Sequence, residues 1–154
     1  MKLKPILMLL ALLPFLAQAQ TTNEVAVEHF AARFACQPPA TVSNILFSES
    51  TWLDYSCQMR FTCPDPKQIQ TFADTLGMKP SAELRSRLAS SSGPSWWYPS
   101  TSKQATSIKF WHDLSTNELI EAYANTQDVR EVRLLWYDRR DNRVYYKQLG
   151  KIGK

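Results

Sequence analysis

The chain has 154 residues, of which 44% are hydrophobic and 21% are charged, and its formal net charge is +4. That length is typical of one domain with a substantial core. The charge includes Lys2 and Lys4, which lie in a segment that we expect to be removed, so about +2 is left afterwards. Nucleic acid is therefore a poor candidate for a partner, whereas the basic residues near the C-terminus favour contact with an acidic surface.

The N-terminus has the anatomy of a secretory signal peptide. Lys2 and Lys4 precede an apolar run over residues 6–16, and Ala17-Gln18-Ala19 is a small-x-small cleavage signal. The run is shorter than the about 20 residues that a membrane-spanning helix needs. We expect cleavage after residue 19 and a single, periplasmic or secreted domain over residues 20–154 that does not span a membrane. An uncleaved N-terminal anchor is the alternative.

A helix over residues 24–35 and a short strand over residues 42–48 come next. The clearest periodic signal follows them, over residues 53–63. There every second residue is apolar, and polar residues lie between: Leu53, Tyr55, Cys57, Met59, Phe61 and Cys63. A period of two is typical of a half-buried β-strand, because successive side chains point to opposite faces of a sheet.

Cys36, Cys57 and Cys63 predict one disulfide in an exported chain, with one thiol left over. Cys57 and Cys63 lie on one strand about 20 Å apart, whereas a disulfide needs Cα atoms within about 7 Å. A hairpin that turns near Ser50 would place Cys36 opposite position 64. We therefore predict a Cys36–Cys63 bond and a buried free thiol at Cys57, while a Cys36–Cys57 bond stays open. Zinc is disfavoured because no two cysteines are close in the sequence.

Further along the chain, Asp65 and Pro66 begin a helix that ends at Gly77, and a second helix follows over residues 80–90. Residues 107–112 alternate as a strand does. Ser115 and Glu118 form a capping box for a short helix over residues 116–124, although a strand is possible there. Residues 130–138 and 143–149 flank a polar turn and predict a β-hairpin. The order predicts a single α+β domain with a mainly antiparallel sheet of about five strands and helices packed on one face.

Catalytic motifs are absent from the sequence, which has no nucleophile elbow, phosphate loop, HExxH, Cys-x-x-Cys or calcium loop. His112 beside Asp113 is not a dyad, because neighbours in a strand point to opposite faces. A catalytic thiol would need a basic, accessible site, and the place of Cys57 on the apolar face favours an inert core residue instead. The sequence therefore argues against an enzyme, a cofactor or a metal site. An exported hydrolase that uses His112 is the third hypothesis for function.

Trp96, Trp97 and Tyr98 form an aromatic cluster within a loop. Such a cluster is either a lid over the core or a binding surface, and Trp and Tyr faces stack well on sugar rings. A glycan- or peptidoglycan-binding module that uses these three residues is the second hypothesis for function.

The C-terminal hairpin carries a cluster of arginines and tyrosines, the residue types enriched at the centre of protein interfaces. Its candidate binding residues are Arg133, Arg139, Arg140, Arg143 and Tyr145. Export combined with an absence of catalytic motifs favours a non-enzymatic protein that binds another protein. This is the leading hypothesis, and it is the plan of inhibitor, immunity and envelope-accessory proteins.

Overall fold

The computed structural model describes residues 24–51, 54–88, 95–97, 119–128 and 130–150. Within them, one antiparallel sheet has six strands in the order β1-β2-β6-β5-β4-β3. The strands are β1 (Ser43–Ser50), β2 (Tyr55–Thr62), β3 (Lys79–Pro80), β4 (Ile120–Asp128), β5 (Glu131–Asp138) and β6 (Arg143–Gly150). The helices are α1 (residues 24–34), α2 (Pro66–Thr75), α3 (Ala82–Leu88) and a 3-10 turn, Ser95–Trp97.

This architecture confirms an α+β fold with an antiparallel sheet, although the sheet has six strands rather than about five. The predicted signal peptide and the strand over residues 107–112 lie outside the described residues. None of the helices in the described ranges is long and apolar enough to cross a membrane.

Strand β2 confirms the alternation read from the sequence. Cys57, Met59 and Phe61 are buried on one face, and Cys63 continues that face just after the strand. The strand lies between β1 and β6 and pairs with both along its length. Burial of these side chains on the sheet's first face is the main local cause of the strand.

Helix α2 forms where its sequence signals place it. The Asp65 side chain caps it by accepting a hydrogen bond from the Lys67 backbone N–H at 3.0 Å. Ile69, Phe72 and Ala73 form its buried stripe. Gly77 ends the helix with a left-handed φ of +63°, which glycine adopts without steric strain.

The sheet has a core on each of its two faces. Helices α1 and α2 cover the first face, where Phe30 and Phe72 pack against Phe61. On the second face, Leu84 of α3 and Trp97 of the 3-10 turn belong to a separate cluster. The prediction that helices pack on one face only is therefore wrong. Strands β4, β5 and β6 are covered on both sides.

Residues 120–124 form part of strand β4 and not the helix that we favoured, so the alternative reading as a strand is right. Ile120 and Ala122 belong to the second core, whereas Tyr123 belongs to the first. A strand covered on both faces has apolar residues at both parities, so its sequence shows no alternation. The predicted capping box at Ser115 and Glu118 lies outside the described residues.

The register of β1 against β2 corrects the predicted hairpin. Leu46 pairs with Arg60 and Ser50 with Ser56, so the turn lies after Ser50 and not at it. A turn at Ser50 was the only reason to place Cys36 opposite position 64.

All three cysteines carry free thiols in the structure, so the predicted Cys36–Cys63 disulfide is not formed there. Cys36 is exposed just beyond α1, whereas Cys57 and Cys63 are buried. The Cys63 thiol donates to the Asp65 carbonyl at a sulfur–oxygen distance of 3.7 Å.

Candidate functional site

The turn between β5 and β6, residues 139–142, is the hairpin tip, and it has a fixed shape. Asn142 adopts a left-handed φ of 58°, a conformation that asparagine tolerates better than most residues. Its side-chain oxygen accepts a hydrogen bond from the Tyr137 hydroxyl at 3.2 Å, and its carbonyl accepts one from the Cys63 backbone N–H at 2.8 Å. The tip is therefore held from two sides.

Asp138 is the internal anchor of the tip. This residue is buried, and its Oδ1 accepts hydrogen bonds from the Arg140 backbone N–H at 3.0 Å and from Nε at 2.9 Å. Its Oδ2 accepts from Nη2 of the same arginine at 2.7 Å. This pairing raises the pKa of the Arg140 guanidinium. The Arg140 side chain is still 39% exposed, so its outer edge faces solvent.

Arg139 links the tip to strand β4. Its guanidinium pairs with Glu121, and its backbone N–H donates to the Leu119 carbonyl at 3.1 Å. Glu121 also accepts from the Tyr123 hydroxyl at 2.9 Å. Burial and that contact with Glu121 raise the pKa of Tyr123 to about 12.

Leu119 lies beside Arg139, and both side chains are exposed. The leucine is 45% exposed and the Arg139 side chain is 52% exposed. The tip therefore presents an exposed leucine beside Arg139, and Arg140 follows Arg139 in the turn. Glu121 orients the Arg139 guanidinium on the face of the first core, whereas Asp138 orients that of Arg140 on the face of the second core. We call Leu119, Arg139 and Arg140 the tip patch.

Of the other predicted arginines, one reaches the tip and one does not. Arg143 Nε lies 3.1 Å from the Asp141 Oδ2 at the tip. Burial, together with the nearby charge of Asp138, raises the pKa of the Asp141 carboxyl. Arg133 is instead near the start of β5, where it pairs with Glu131.

Tyr145 is a core residue and not a contact residue. It is 2% exposed and belongs to the second core, with its ring centroid 5.4 Å from that of Trp97. Burial raises its pKa to about 12. Its side chain contributes to the stability of the hairpin and lies out of reach of a partner.

The aromatic segment closes the second core. Trp97 is fully buried and packs edge-to-face on Trp136, with ring centroids 6.4 Å apart. Trp96 is half-buried and packs against the same cluster. Tyr98 lies outside the described residues. The sequence left two interpretations of this segment open, a lid over the core or a binding surface. Trp97 acts as a lid, because it is fully buried and has no face available to a sugar ring.

A polar cluster around Cys57 is the other constellation with chemical potential. Arg33 donates to the Tyr55 hydroxyl and lies 3.6 Å from Glu49, and both Arg33 and Tyr55 lie close to the Cys57 thiol. Burial raises the pKa of that thiol, and the nearby guanidinium offsets only part of the effect. A buried neutral thiol is a poor nucleophile, so Cys57 fits the expected inert core residue.

Metal-ligand geometry is not found in the part of the chain that the structure covers: no group of three His, Cys, Asp or Glu residues there could hold an ion. His112 and Asp113 lie outside that part.

Sequence reasoning missed Leu119 and Glu121. Both were assigned to a helix, and nothing local indicates that Leu119 lies beside a turn twenty residues later. Only the pairing of Ile120 with Asp138 brings them together.

Comparisons of the chain with protein-family models, with curated proteins and with solved structures found no match.

Proposed function

We propose that this chain is an exported, non-enzymatic protein that binds another protein through the tip patch. The observation that carries the proposal is the exposure of Leu119 beside Arg139, at a turn whose arginines are paired with carboxylates. Export rests on the signal-peptide pattern of residues 1–19. The inhibitor, immunity or envelope-accessory kind of protein matches such a surface.

Pre-organisation is the physical argument for the tip patch. Immobilising a long side chain on binding costs about 0.5–1.5 kcal/mol. Asp138 and Glu121 already hold the two guanidinium groups, so part of that ordering is complete before a partner arrives. Arginine has five N–H donors, and Arg140 donates only two side-chain groups to Asp138. Other N–H groups are left for a partner.

The chemistry of the patch specifies the partner's surface. Two guanidinium groups favour carboxylates, and an exposed leucine favours an apolar pocket beside the carboxylate that meets Arg139. We therefore expect a partner surface in which acidic residues surround an aliphatic or aromatic depression. An interface of this type gains specificity and association rate from its charges and affinity from the buried leucine.

The test uses the full chain, exported and processed by the cell, as bait for envelope proteins. A double variant, Leu119→Ser with Arg139→Ala, removes two of the three patch residues and keeps the Asp138–Arg140 contact that shapes the turn. Arg130→Ala is the matched control, because Arg130 is also exposed and lies in the turn at the opposite end of β5. Thermal unfolding of all three proteins checks that the fold is intact.

Capture of a stoichiometric protein by the parent and by Arg130→Ala, but not by the double variant, supports the proposal. Its dissociation constant, measured with purified partner, should rise with added salt because the contacts are charged. Equal capture by the double variant contradicts the tip patch as the binding surface. Retention of cell-wall glycan without protein would move the function to the glycan-binding alternative.

A further inference from the structure

A small pocket lies at the opposite end of the β5–β6 hairpin from the tip. Its volume is about 260 Å³, and the start of β2, the start of β5 and the end of β6 surround it. The lining residues are Asp54, Tyr55, Ser56, Arg130, Val132, Leu149 and Gly150. Strands of eight residues at about 3.4 Å per residue separate this pocket from the tip by roughly 25 Å.

Apolar groups form most of the pocket surface. Val132 and Leu149 are paired across β5 and β6, so their side chains lie on the same face of the sheet. Leu149 is 38% exposed, which makes it one of three large exposed hydrophobic residues in the described ranges. An apolar ligand body that covered Leu149 would remove this surface from water.

Gly150 pairs with Tyr55 and follows Leu149 in β6, so a side chain added at Gly150 would point to the opposite face from Leu149 and Val132. A Cβ atom added there would lie 3.6 Å from the Tyr55 ring. The apolar wall of the pocket is therefore formed by the side chains of Val132 and Leu149.

The two charged lining residues, Asp54 and Arg130, differ from the charges at the tip. Within the described ranges neither side chain makes a hydrogen bond or an ion pair, although the Arg130 backbone N–H donates to Asp128 at 2.8 Å. At the tip, by contrast, Arg139 pairs with Glu121 and Arg140 pairs with Asp138. Among the described residues, one carboxylate and one guanidinium without a partner there therefore border the same apolar pocket.

The volume restricts the size of the ligand. Sites for drug-sized molecules enclose about 300–1,000 Å³, so a pocket of this size suits a smaller molecule. A ligand that satisfies every lining group needs a compact apolar body, an anionic group for Arg130 and a cationic donor for Asp54. A fatty acid supplies the first two but leaves Asp54 facing its carboxylate.

We propose that this pocket binds a free aliphatic α-amino acid, with its carboxylate on Arg130, its ammonium group on Asp54 and its side chain against Val132 and Leu149. This site goes beyond the protein-binding function proposed for the tip patch and is independent of it. The sequence places its parts far apart, and only the pairing of β6 with both β2 and β5 brings them together.

The experiment is isothermal titration calorimetry of the full, processed chain with L-leucine. Isocaproate lacks the ammonium group, isopentylamine lacks the carboxylate, and glycine lacks the side chain, so each analogue removes one of the three contacts. We expect L-leucine to bind and each analogue to bind about tenfold more weakly or worse, as loss of a charge-assisted hydrogen bond implies. No heat from L-leucine at millimolar concentration overturns the proposal, and so does equal binding of isocaproate or isopentylamine.

Three variants test the residues. Arg130→Gln and Asp54→Asn keep the shape of each side chain and remove its charge, so each should weaken L-leucine binding by about tenfold. Leu149→Ser should weaken L-leucine binding by about tenfold, because it removes the apolar surface that contacts the ligand's side chain. Unchanged affinity in all three contradicts the site. Lys79→Ala, an exposed position on the edge strand β3, should leave the affinity unchanged. Loss of binding in that variant alone would overturn the pocket as the site without bearing on protein capture.

Discussion

Asp138 and Arg140 form a closed unit in which one buried carboxylate receives three hydrogen bonds from a single residue. The bonds from the backbone N–H and from Nε converge on Oδ1, and the one from Nη2 reaches Oδ2 at 2.7 Å. Because Asp138 is 4% exposed, water cannot replace these donors fully. The shape of the tip therefore depends on a pair of residues two positions apart.

Arg140→Ala is expected to destabilise the fold. The variant leaves the Asp138 carboxylate buried with only its backbone donor, which costs about 1–3 kcal/mol. Arg143→Ala is the matched control, since its Asp141 partner is more exposed, and we expect a loss below about 1 kcal/mol. Urea unfolding measures both. A smaller loss for Arg140→Ala than for Arg143→Ala would contradict the anchoring role of Asp138.

Trp97 and Trp136 offer a matched comparison in the second core. Trp136 Nε1 donates to the Leu84 carbonyl at 3.0 Å, whereas Trp97 Nε1 is buried and has no partner within the described chain. Replacing either by Phe removes a similar volume, but only Trp136→Phe breaks a hydrogen bond. We expect Trp136→Phe to lower the free energy of unfolding by about 1 kcal/mol more than Trp97→Phe does.

Chemical denaturation of the two variants measures that difference. Trp97→Ala is the control for burial, with an expected loss of about 3–5 kcal/mol because the ring is fully enclosed. A neutral effect of Trp97→Ala would mean that Trp97 is a surface residue and would reopen the sugar-binding reading of the aromatic segment.

Gly77 couples the end of α2 to strand β4. It has a left-handed φ, and an added Cβ would lie 3.2 Å from Asn125 Nδ2, which donates to the Leu76 carbonyl at 2.9 Å. We expect Gly77→Ala to destabilise the fold by about 1 kcal/mol or more, because alanine does not compensate for the positive φ. Gly150→Ala, where φ is not positive, is the control and should be close to neutral. Thermal unfolding compares the two.

The parts of the fold that were predictable are those whose signals are local. The alternation in β2, the Asp65 cap, the Gly77 stop and the turn of the β5–β6 hairpin all depend on residues within a few positions of each other. Each was confirmed because side-chain period, capping and turn chemistry act over the same short range.

The parts that were not predictable depend on distant pairing. Strand β4 has no period of two because both of its faces are covered. The register of β1 against β2, in which Ser50 pairs with Ser56, is not specified by any local signal at Ser50. For the candidate site, the sequence placed Arg139 and Arg140 in the turn but also named Tyr145, which is buried against Trp97. The sequence does not indicate Leu119 as a site residue, because only the pairing of β4 with β5 places it beside Arg139.

Alkaline pH is expected to destabilise the protein through its buried phenols. Burial raises the pKa of Tyr145 to about 12 and also raises that of Tyr146, whereas unfolded tyrosine titrates near pH 10. The folded chain holds these protons more tightly, so the stabilisation is fully present below about pH 10 and is lost as the pH rises towards 12. In that window, each phenol should lower the free energy of unfolding by about 1.4 kcal/mol per pH unit.

Tyr145→Phe tests this directly, because it removes one titrating group from the second core. Urea unfolding at several pH values should give a shallower fall above pH 10 for the variant than for the parent. Burial also raises the pKa of Cys57 and Cys63. The two thiols therefore lower the free energy of unfolding at alkaline pH by the same amount in the parent and in the variant. Identical pH profiles would contradict the raised pKa of Tyr145.

Thiol reactivity should separate the three cysteines. Cys36 is exposed, whereas Cys57 and Cys63 are buried and burial raises their pKa, so fewer thiolates are available. In the folded, reduced protein, iodoacetamide should label Cys36 alone, and all three should react once the chain is unfolded. Mass spectrometry of the intact chain measures the labels, and Cys36→Ser should show none in the folded state. If Cys36 of the exported protein reacts only after a reductant is added, a disulfide involving Cys36 forms in the oxidising compartment, and the 35–42 segment must move to allow it.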